Sequence, residues 1–242
     1  MYHSPEMTFV PFCDSTNDLA FEALNRSDEV LIWTLDQRKG RGSRGRKWIS
    51  PKNTSLAFSF GSTKGPLPSQ FPYPVFAGLL IHQTLVRLFP EIDLALKWPN
   101  DVLLKGKKVC GILCESNWRS AEEVHTVLGI GINLASSKEL NDIQKPNTSL
   151  EAHGYEIQAE AFLKEVLHTI QSTAWTADRV IKGWQKRACW RVGSWLEVRN
   201  GGLNTQGRFM GLSEKGHFQL QTQKGSIETV LHPEPDFSVS EL

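Results

Sequence analysis

The chain has 242 residues, of which 40% are hydrophobic and 22% charged, and these proportions are typical of a globular protein that buries a core. Its formal net charge is only +1, so an anion must be bound by locally clustered cations, and a protein that coats DNA through its overall charge is excluded. The sequence has neither a signal peptide nor the roughly 18 uninterrupted apolar residues of a membrane span, so we expect a soluble cytoplasmic protein that binds no membrane.

The first third of the chain predicts a helix, a strand, a loop, a strand and a second helix. "CDSTNDLAFEALNRSD" offers Ser15, Thr16 or Asn17 as the cap of the first helix, and "EVLIWTLD" predicts a buried strand. A basic glycine-rich loop follows. Alternating apolar residues then predict a half-buried strand, and the second helix extends from about residue 74 to 88.

The middle of the chain predicts three strands, 93–98, 108–116 and 125–134, separated by short turns. These spacings favour a mixed sheet with neighbouring hairpins. Helical periodicity follows from about residue 158 to 187. We expect the four cysteines to be reduced, because a chain of this size does not need disulfides and no secretory signal accompanies them.

After residue 190 the chain has short alternating runs separated by "NGG", "EKG" and "QKG", a pattern typical of a small β-barrel. The sequence therefore predicts an α+β protein. A mixed-sheet domain would occupy residues 1–190, and a small C-terminal β-barrel domain would occupy residues 191–242.

The stretch "KGRGSRGRKW" places five cations and three glycines within ten residues. Glycines let several backbone amides approach one anion, and arginine offers a fixed fork of donors to phosphate oxygens. The Walker and dinucleotide-binding spacings are absent. Two interpretations stay open, a solvated basic or nucleic-acid-binding loop and a nucleotide loop whose Trp48 stacks on a base.

Three further motifs also allow two interpretations each. In "KWPND", Pro99 favours an extended Trp98 and a strand end that presents Asn100 and Asp101, an oxygen ligand for Mg²⁺; a self-capping turn is the alternative. In "GKKVCGILCE", strict alternation places Lys108 on the face of Cys110 and opposite Gly111, either as a cation for a ligand or as an exposed turn residue.

In "HTVLGIGINL", Leu128, Ile130 and Ile132 share one face of the predicted strand, and Gly129, Gly131 and Asn133 share the other. Two glycines weaken a strand unless a ligand or another backbone comes close. Either a ligand contacted by Asn133 or close packing under a helix would account for them.

The five motifs "DSTN", "GRGSRGRKW", "KWPND", "KVCGILCE" and "GIGIN" occur in the order found in biotin protein ligases, which the chain resembles from about residue 9 to its end. The resemblance implies a biotin/lipoate ligase-like catalytic domain and an SH3-like C-terminal barrel. It also implies that ATP and Mg²⁺ activate biotin as biotinyl-5'-AMP, and that biotin is transferred to a lysine of a carboxylase's biotin carboxyl carrier domain. A homodimer is possible in this family.

The resemblance also implies roles for individual residues. Lys108 and Arg41 would be catalytic, and Asp101 would hold the metal. Biotin would contact Ser15, Thr16, Gln37, Gly40, Arg41, Lys108 and Gly111. ATP and the adenylate would contact Arg41, Arg44, Arg46, Trp48, Asn100, Gly129, Gly131 and Asn133.

Ser43 departs from the family pattern, which usually has an arginine there that holds the adenylate. Either the loop grips the intermediate less tightly or Arg44 takes over this task. We expect ligase activity to be retained. Because "DSTN" begins at Asp14, we also expect no N-terminal DNA-binding domain and no specific DNA binding.

Two rival functions remain at this stage. Lipoate ligases and octanoyltransferases share the catalytic fold, but their arginine-glycine-glycine and histidine signatures are missing. A nucleic-acid-binding module would need a basic face and a recognition motif, and neither is evident.

Overall fold

The computed structural model describes residues 5–63, 72–120, 123–143, 145–231 and 233–242. In the N-terminal part the elements are β1 (Met7–Phe9), α1 (Thr16–Ala23), β2 (Glu29–Thr34), β3 (Ser55–Ser62), α2 (Tyr73–Leu88), β4 (Leu94–Lys97), β5 (Asp101–Leu104), β6 (Lys107–Trp118) and β7 (Val124–Asn133). Then come α3 (Lys138–Asn141), α4 (Ala159–Ser172), α5 (Ala177–Gln185), β8 (Trp195–Asn200), β9 (Leu203–Leu212), β10 (Phe218–Gln221), β11 (Ile227–Val230) and β12 (Ser238–Glu241). The α+β class predicted from the sequence is confirmed.

The first seven strands form one sheet in the order β1-β2-β3-β7-β6-β5-β4. Only the β1–β2 pair is parallel among the described pairs, so the sheet is mixed, as predicted. Leu31 and Trp33 of β2 face a large core with α2, α4 and α5, and Val30 and Ile32 face a small core under α1. One face of the sheet is therefore apolar, and α1 covers part of the other.

The start of α1 explains why polar residues lie at this second face. Ser15 has an extended backbone and its Oγ accepts from the backbone N–H of Asp18, so Ser15 is the N-cap among the three residues that the sequence offered. The helix is short and begins directly over the sheet. Its first residues, Thr16 and Asn17, are buried as a result.

The last five strands form an antiparallel sheet in the order β11-β10-β9-β8-β12. Trp98, from the turn after β4, packs against Phe218 at 5.6 Å and Phe237 at 5.2 Å between ring centroids. The indole N–H of Trp98 also donates to the carbonyl of Gly216. The two sheets thus share an aromatic cluster, and the division at residues 190 and 191 stays a prediction.

The sequence had left a turn open as one interpretation of "KWPND", and it missed two short strands. Residues 98–100 of "KWPND" form a turn between β4 and β5 with a cis Trp98–Pro99 peptide, instead of extending the strand through Trp98. Strands β1 and β5 were not anticipated, because runs of three or four residues carry too little alternation to be recognised. In the described part of the chain, no helix is long and apolar enough to cross a bilayer.

Candidate functional site

A cavity opens on the face of the sheet that α1 only partly covers, between α1, the basic loop, β6, β7 and the segment after α3. It is lined by most of the residues singled out from the sequence, namely Ser15, Thr16, Gln37, Arg41, Arg46, Trp48, Asn100, Lys108, Gly111, Gly129, Gly131 and Asn133. Ser43 lines it as well. Three of the singled-out residues do not line the cavity. Gly40 and Asp101 each lie next to a residue that lines it, and Arg44 belongs to the basic loop.

The basic loop folds as a small hairpin with its own backbone hydrogen bonds. The backbones of Arg41 and Lys47 form an antiparallel β-bridge. The N–H of Gly42 donates to the carbonyl of Arg46 at 2.7 Å, and the N–H of Trp48 donates to the carbonyl of Gly40 at 2.9 Å. A Cβ on Gly40 would lie 2.7 Å from the carbonyl oxygen of Trp48, so this position requires glycine. The hairpin delivers Trp48 onto the sheet.

Arg41 lines the cavity, but its charge is balanced by two carboxylates. Its guanidinium donates to both oxygens of Asp18 at 2.8 and 2.6 Å and to Glu115 at 3.2 Å. The hydrogen bonds from Arg41 lower the pKa of the Asp18 carboxyl, and those to Asp18 and Glu115 raise the pKa of Arg41 despite its partial burial. Arg41 therefore ties the basic loop to α1 and β6.

Arg44 turns away from the cavity. It has a left-handed backbone conformation, with φ 62°, and its guanidinium donates to the carbonyl of Glu234 at 3.0 Å and lies 5.7 Å from the ring centroid of Phe237. Burial lowers its pKa. The tip of the loop is thus fastened to the C-terminal sheet, and the role of Arg44 at phosphates stays a prediction.

At one end of the cavity, uncharged polar groups form a chain of hydrogen bonds. The Oε1 of Gln37 accepts from the N–H of Thr16 at 2.9 Å, which leaves the Gln37 amide nitrogen facing Gly40. Ser59 Oγ lies 2.7 Å from Thr16 Oγ1 and 2.6 Å from Asn17 Oδ1. The Asn17 amide nitrogen donates to Glu115 at 2.7 Å. These bonds fix which atoms face the cavity.

Ser59 is fully buried beneath this chain, so replacing it by alanine should be costly. Ser59→Ala removes the donor to Asn17 Oδ1 and is expected to lower the free energy of unfolding by about 1–3 kcal/mol, since the acceptor stays buried without a partner. Denaturant unfolding measures this change. Ser116→Ala is the control, because it removes a strand hydroxyl that contacts Thr126 away from the cavity; equal losses in the two variants would contradict the expectation.

A β-bulge determines where Lys108 points. The pairing of β5 with β6 runs Val102 to Cys110 and then Leu103 to Lys108, so the register skips Val109. The side chain of Lys108 consequently lies on the side of Gly111, with its Nζ 3.0 Å from where a Gly111 Cβ would be. The sequence placed Lys108 on the opposite face, and that prediction was wrong because strict alternation does not anticipate a bulge.

Lys108 lies between a carboxylate and an aromatic ring. Its Nζ donates to Asp101 Oδ1 at 2.5 Å and lies 5.5 Å from the centroid of the Trp48 ring. The described residues contain no group of three or more His, Cys, Asp or Glu side chains that could hold a metal. Asp101 is thus a single carboxylate next to a lysine, not part of a preformed metal cage.

Two glycines form the floor of the cavity. Gly131 of β7 is paired with Gly111 of β6, and the indole of Trp48 lies directly on both. A Cβ would come within 2.3 Å of Trp48 at Gly131 and within 2.8 Å at Gly111, and a Cβ on Gly129 would meet Asn17 at 2.1 Å. Close packing, left open by the sequence, explains the glycines in this structure.

Two buried polar atoms at the cavity have no partner in the described structure: the Oδ1 of Asn133 and the Nε1 of Trp48. The Nδ2 of Asn133 donates to the carbonyl of Thr148, which fixes the amide so that its oxygen remains available as an acceptor. Buried polar groups are almost always paired, so these atoms indicate where a ligand would form hydrogen bonds.

Ser43 takes part in the hairpin. Its carbonyl and Oγ both accept from Arg46, and its Oγ lies 3.4 Å from the Asn100 amide nitrogen. Asn100 itself is held by a hydrogen bond to the carbonyl of Ile112. Ser43 therefore joins the loop to the turn after β4, and the effect of having no arginine there stays a prediction.

Sequence reasoning missed several residues that shape the cavity, among them Asp18, Ser59, Glu115 and Lys145. Ser59 had a usable signal, since it is the polar residue within the apolar run "LAFSFG", on the face opposite Phe58 and Phe60. No sequence signal identified Asp18 and Glu115 as partners of Arg41, because they come from distant parts of the chain. All four cysteines are free, as predicted.

A family model for the biotin/lipoate A/B protein ligase family matches residues 9–133. A biotin–[acetyl-CoA-carboxylase] ligase of Paracoccus denitrificans is 30% identical over 225 residues, which is 88% of this chain and 92% of that protein. A ligase of the same name from Mycobacterium tuberculosis is 33% identical over 143 residues, which is 56% of this chain and 51% of that protein. The structure of the biotin protein ligase from Aquifex aeolicus in complex with biotin and ATP matches with a TM-score of 0.77 and 28% identity over 98% of this chain and 99% of that chain.

Proposed function

The chain belongs to the biotin/lipoate A/B protein ligase family, as a ligase that activates biotin with ATP and transfers it to protein, and we propose how its residues share this work. The observation that carries the proposal is the order of groups along β7. Uncharged hydrogen-bonding groups lie over Gly129, Lys108 lies beside the Gly111–Gly131 pair, and the free Asn133 oxygen lies at the end of the strand.

This order matches the chemistry of biotin and ATP. The ureido ring of biotin is uncharged and needs donors and acceptors, which Ser15, Thr16 and Gln37 supply with Gly40 behind them. Arg41 walls this pocket, and its two carboxylate partners keep the pocket close to neutral. The free Asn133 oxygen suits the amino group of adenine, and Gly129 and Gly131 let the ligand approach the sheet.

Lys108 acts where the two substrates meet. A carboxylate oxygen of biotin attacks the α-phosphorus of ATP, the bond to the β-phosphate breaks, and pyrophosphate leaves. Negative charge on both reactants opposes their approach, so a cation fixed between them lowers the barrier by positioning and electrostatic stabilisation. In the second step, a lysine amine of the carrier domain attacks the acyl carbon, AMP leaves and the amine loses a proton.

The metal fits the same region. Mg²⁺ prefers carboxylate and phosphate oxygens and keeps several waters, so one protein carboxylate is enough beside a triphosphate. Asp101 would supply that ligand through the oxygen that Lys108 does not contact, and Asn100 is held next to it. When bound, Mg²⁺ neutralises phosphate charge. Arg46 lines the cavity and would face the phosphates.

In this structure the indole of Trp48 occupies the space over Gly111 and Gly131 that a ligand would need. The indole covers Gly111 and Gly131, which are the surfaces assigned to biotin and the adenylate. We propose that the hairpin lifts Trp48 when biotin binds, so that the ring then packs on the adenine. The buried, unpartnered Nε1 of Trp48 supports this movement, because the present position leaves a donor unsatisfied.

The test is transfer to a carrier domain. Purified protein, biotin, MgATP and the biotin carboxyl carrier domain of a carboxylase should yield biotin on one carrier lysine, detected by intact mass, and a carrier with that lysine replaced by arginine should remain unmodified. Lipoate in place of biotin should give no product and no thermal stabilisation. Absence of carrier modification at any enzyme concentration would contradict the proposed function.

A further inference from the structure

Lys145 lines the cavity, although none of the motifs recognised in the sequence contains it. It is held there by the segment that follows it. The N–H of Lys108 donates to the carbonyl of Pro146 at 3.1 Å, and the N–H of Thr148 donates to the carbonyl of Lys108 at 2.9 Å. Residues 146–148 therefore pair with the backbone N–H and carbonyl of Lys108 itself, which places Lys145 beside the reacting centre.

Lys145 lies close enough to Arg46, Arg44 and Lys108 for their positive charges to act on it. Burial, and then the charges of Arg46 and Arg44, lower the pKa of its ammonium group, with Lys108 adding to the effect and Asp101 opposing it. Asp101 is already engaged by Lys108. Within the described residues, neither Lys145 nor Arg46 forms an ion pair with a carboxylate. The cluster carries positive charge that the protein itself does not balance.

The surrounding loop explains why an additional cation matters here. Within the described residues, the Arg46 guanidinium donates only to the carbonyl and hydroxyl of Ser43, and Arg44 is turned towards Glu234 and Phe237. Arg41 is balanced by Asp18 and Glu115. Of the arginines in the hairpin, therefore, only Arg46 offers an unbalanced charge to the cavity.

We propose that Lys145 binds the β- and γ-phosphates of ATP, and the pyrophosphate formed from them, as a further phosphate-binding residue of the adenylation step. The proposal rests on the proposed function. A triphosphate carries more negative charge than AMP, so it suits a cluster that already contains Lys108 and Arg46. Lys145 and Arg46 are both exposed, whereas Lys108 is partly buried, consistent with a place for Lys145 at the outer end of the phosphate chain.

The experiment compares Lys145→Ala and Lys145→Arg with Lys138→Ala, which removes an exposed lysine in the same connection after β7 that does not line the cavity. Lys145→Ala is expected to raise the KM for ATP and weaken binding of inorganic pyrophosphate, each by about 10-fold or more, because hydrogen bonds to charged groups are lost. Transfer from preformed biotinyl-5'-AMP to the carrier should change less than about 2-fold, since that step involves no β-phosphate. Lys145→Arg should restore most of the ATP affinity.

The outcomes separate this proposal from the function on which it rests. If Lys145→Ala matches Lys138→Ala in KM for ATP and in pyrophosphate binding while the unmodified enzyme is active, only the role of Lys145 is wrong. If Lys145→Ala weakens ATP, AMP and transfer from the adenylate equally, the residue positions the segment beside Lys108 and does not bind the outer phosphates. If the unmodified protein forms no biotinyl-5'-AMP, both proposals fail.

Discussion

Lys108→Ala is expected to lower the rate of biotin-dependent ATP–pyrophosphate exchange by about 10²–10³-fold, the loss typical of removing one group that stabilises transition-state charge. The bulge in β6 directs Lys108 onto the Gly111 side of the sheet, between Asp101 and Trp48. No other described lysine in β6 faces the cavity, because Lys107 is exposed and does not line it. The alanine variant therefore lacks the cation between the two substrates.

Lys107→Ala is the matched control, since it removes a neighbouring lysine from the same strand. It should keep exchange within about 2-fold of the unmodified enzyme, as surface substitutions usually do. Denaturant unfolding should show that Lys108→Ala folds, because the replaced side chain is only partly buried. Equal exchange rates in the two variants would show that Lys108 does not take part in the adenylation step.

Asp101→Asn tests what the negative charge of Asp101 contributes to Lys108 and to the proposed metal site. It keeps the size of the side chain that contacts Lys108 but removes the negative charge. If Asp101 also contributes to Mg²⁺ binding, the variant should need a higher Mg²⁺ concentration for half-maximal exchange than the unmodified enzyme. The comparison therefore addresses Lys108 and the proposed metal ligand together.

The sequence predicted those parts of the site that depend on local periodicity. A helix cap at Ser15, Thr16 or Asn17, the apolar and glycine faces of β7 and the mixed sheet were all predicted from capping, alternation and the spacing of the strands. Most of the proposed ligand-contacting residues could be identified because they lie in short motifs whose order resembles one family. The local patterns alone left two interpretations for each motif, and the family resemblance assigned these residues to one site.

The remaining features depend on contacts between distant residues. The direction of Lys108 depends on a bulge that only the pairing with β5 reveals. Arg41 and Arg44 lie in the same loop, but one is bound by Asp18 and Glu115 and the other by the C-terminal sheet. The density of cations in the sequence therefore overstated the charge available to a ligand, because it does not reveal partners that lie 23 to 190 residues away in the chain.

Gly131→Ala is expected to disturb the contact between Trp48 and the cavity floor more than a methyl group on Gly111 would. The added Cβ would lie 2.3 Å from Cε2 and 2.5 Å from Nε1 of Trp48, and ordinary contact begins near 3.4 Å, so the indole must move by about 1 Å. The hairpin resists this because the backbone of Trp48 is bonded to Gly40. Overpacking of this kind costs about 1–3 kcal/mol in free energy of unfolding.

The same methyl group should also weaken biotin binding, because Gly131 is paired with Gly111, the proposed wall of the biotin pocket, and its Cβ would occupy the space next to that wall. Calorimetry or the biotin-induced thermal shift measures the affinity, and we expect a loss of about 10-fold or more, the effect of roughly 1.4 kcal/mol. Gly42→Ala is the control, because its Cβ would approach only the Arg46 carbonyl oxygen at 3.4 Å and its φ of −107° suits alanine. That variant should retain both stability and affinity.

A double-mutant cycle with Trp48→Ala separates the two effects. If the clash with the indole causes the instability, Gly131→Ala should cost much less in the Trp48→Ala background, because the side chain it meets is gone. The loss of biotin affinity should persist in that background, since the methyl group still occupies the ligand's place. If affinity instead recovers together with stability, biotin does not contact the glycine floor, and the proposed displacement of Trp48 is wrong.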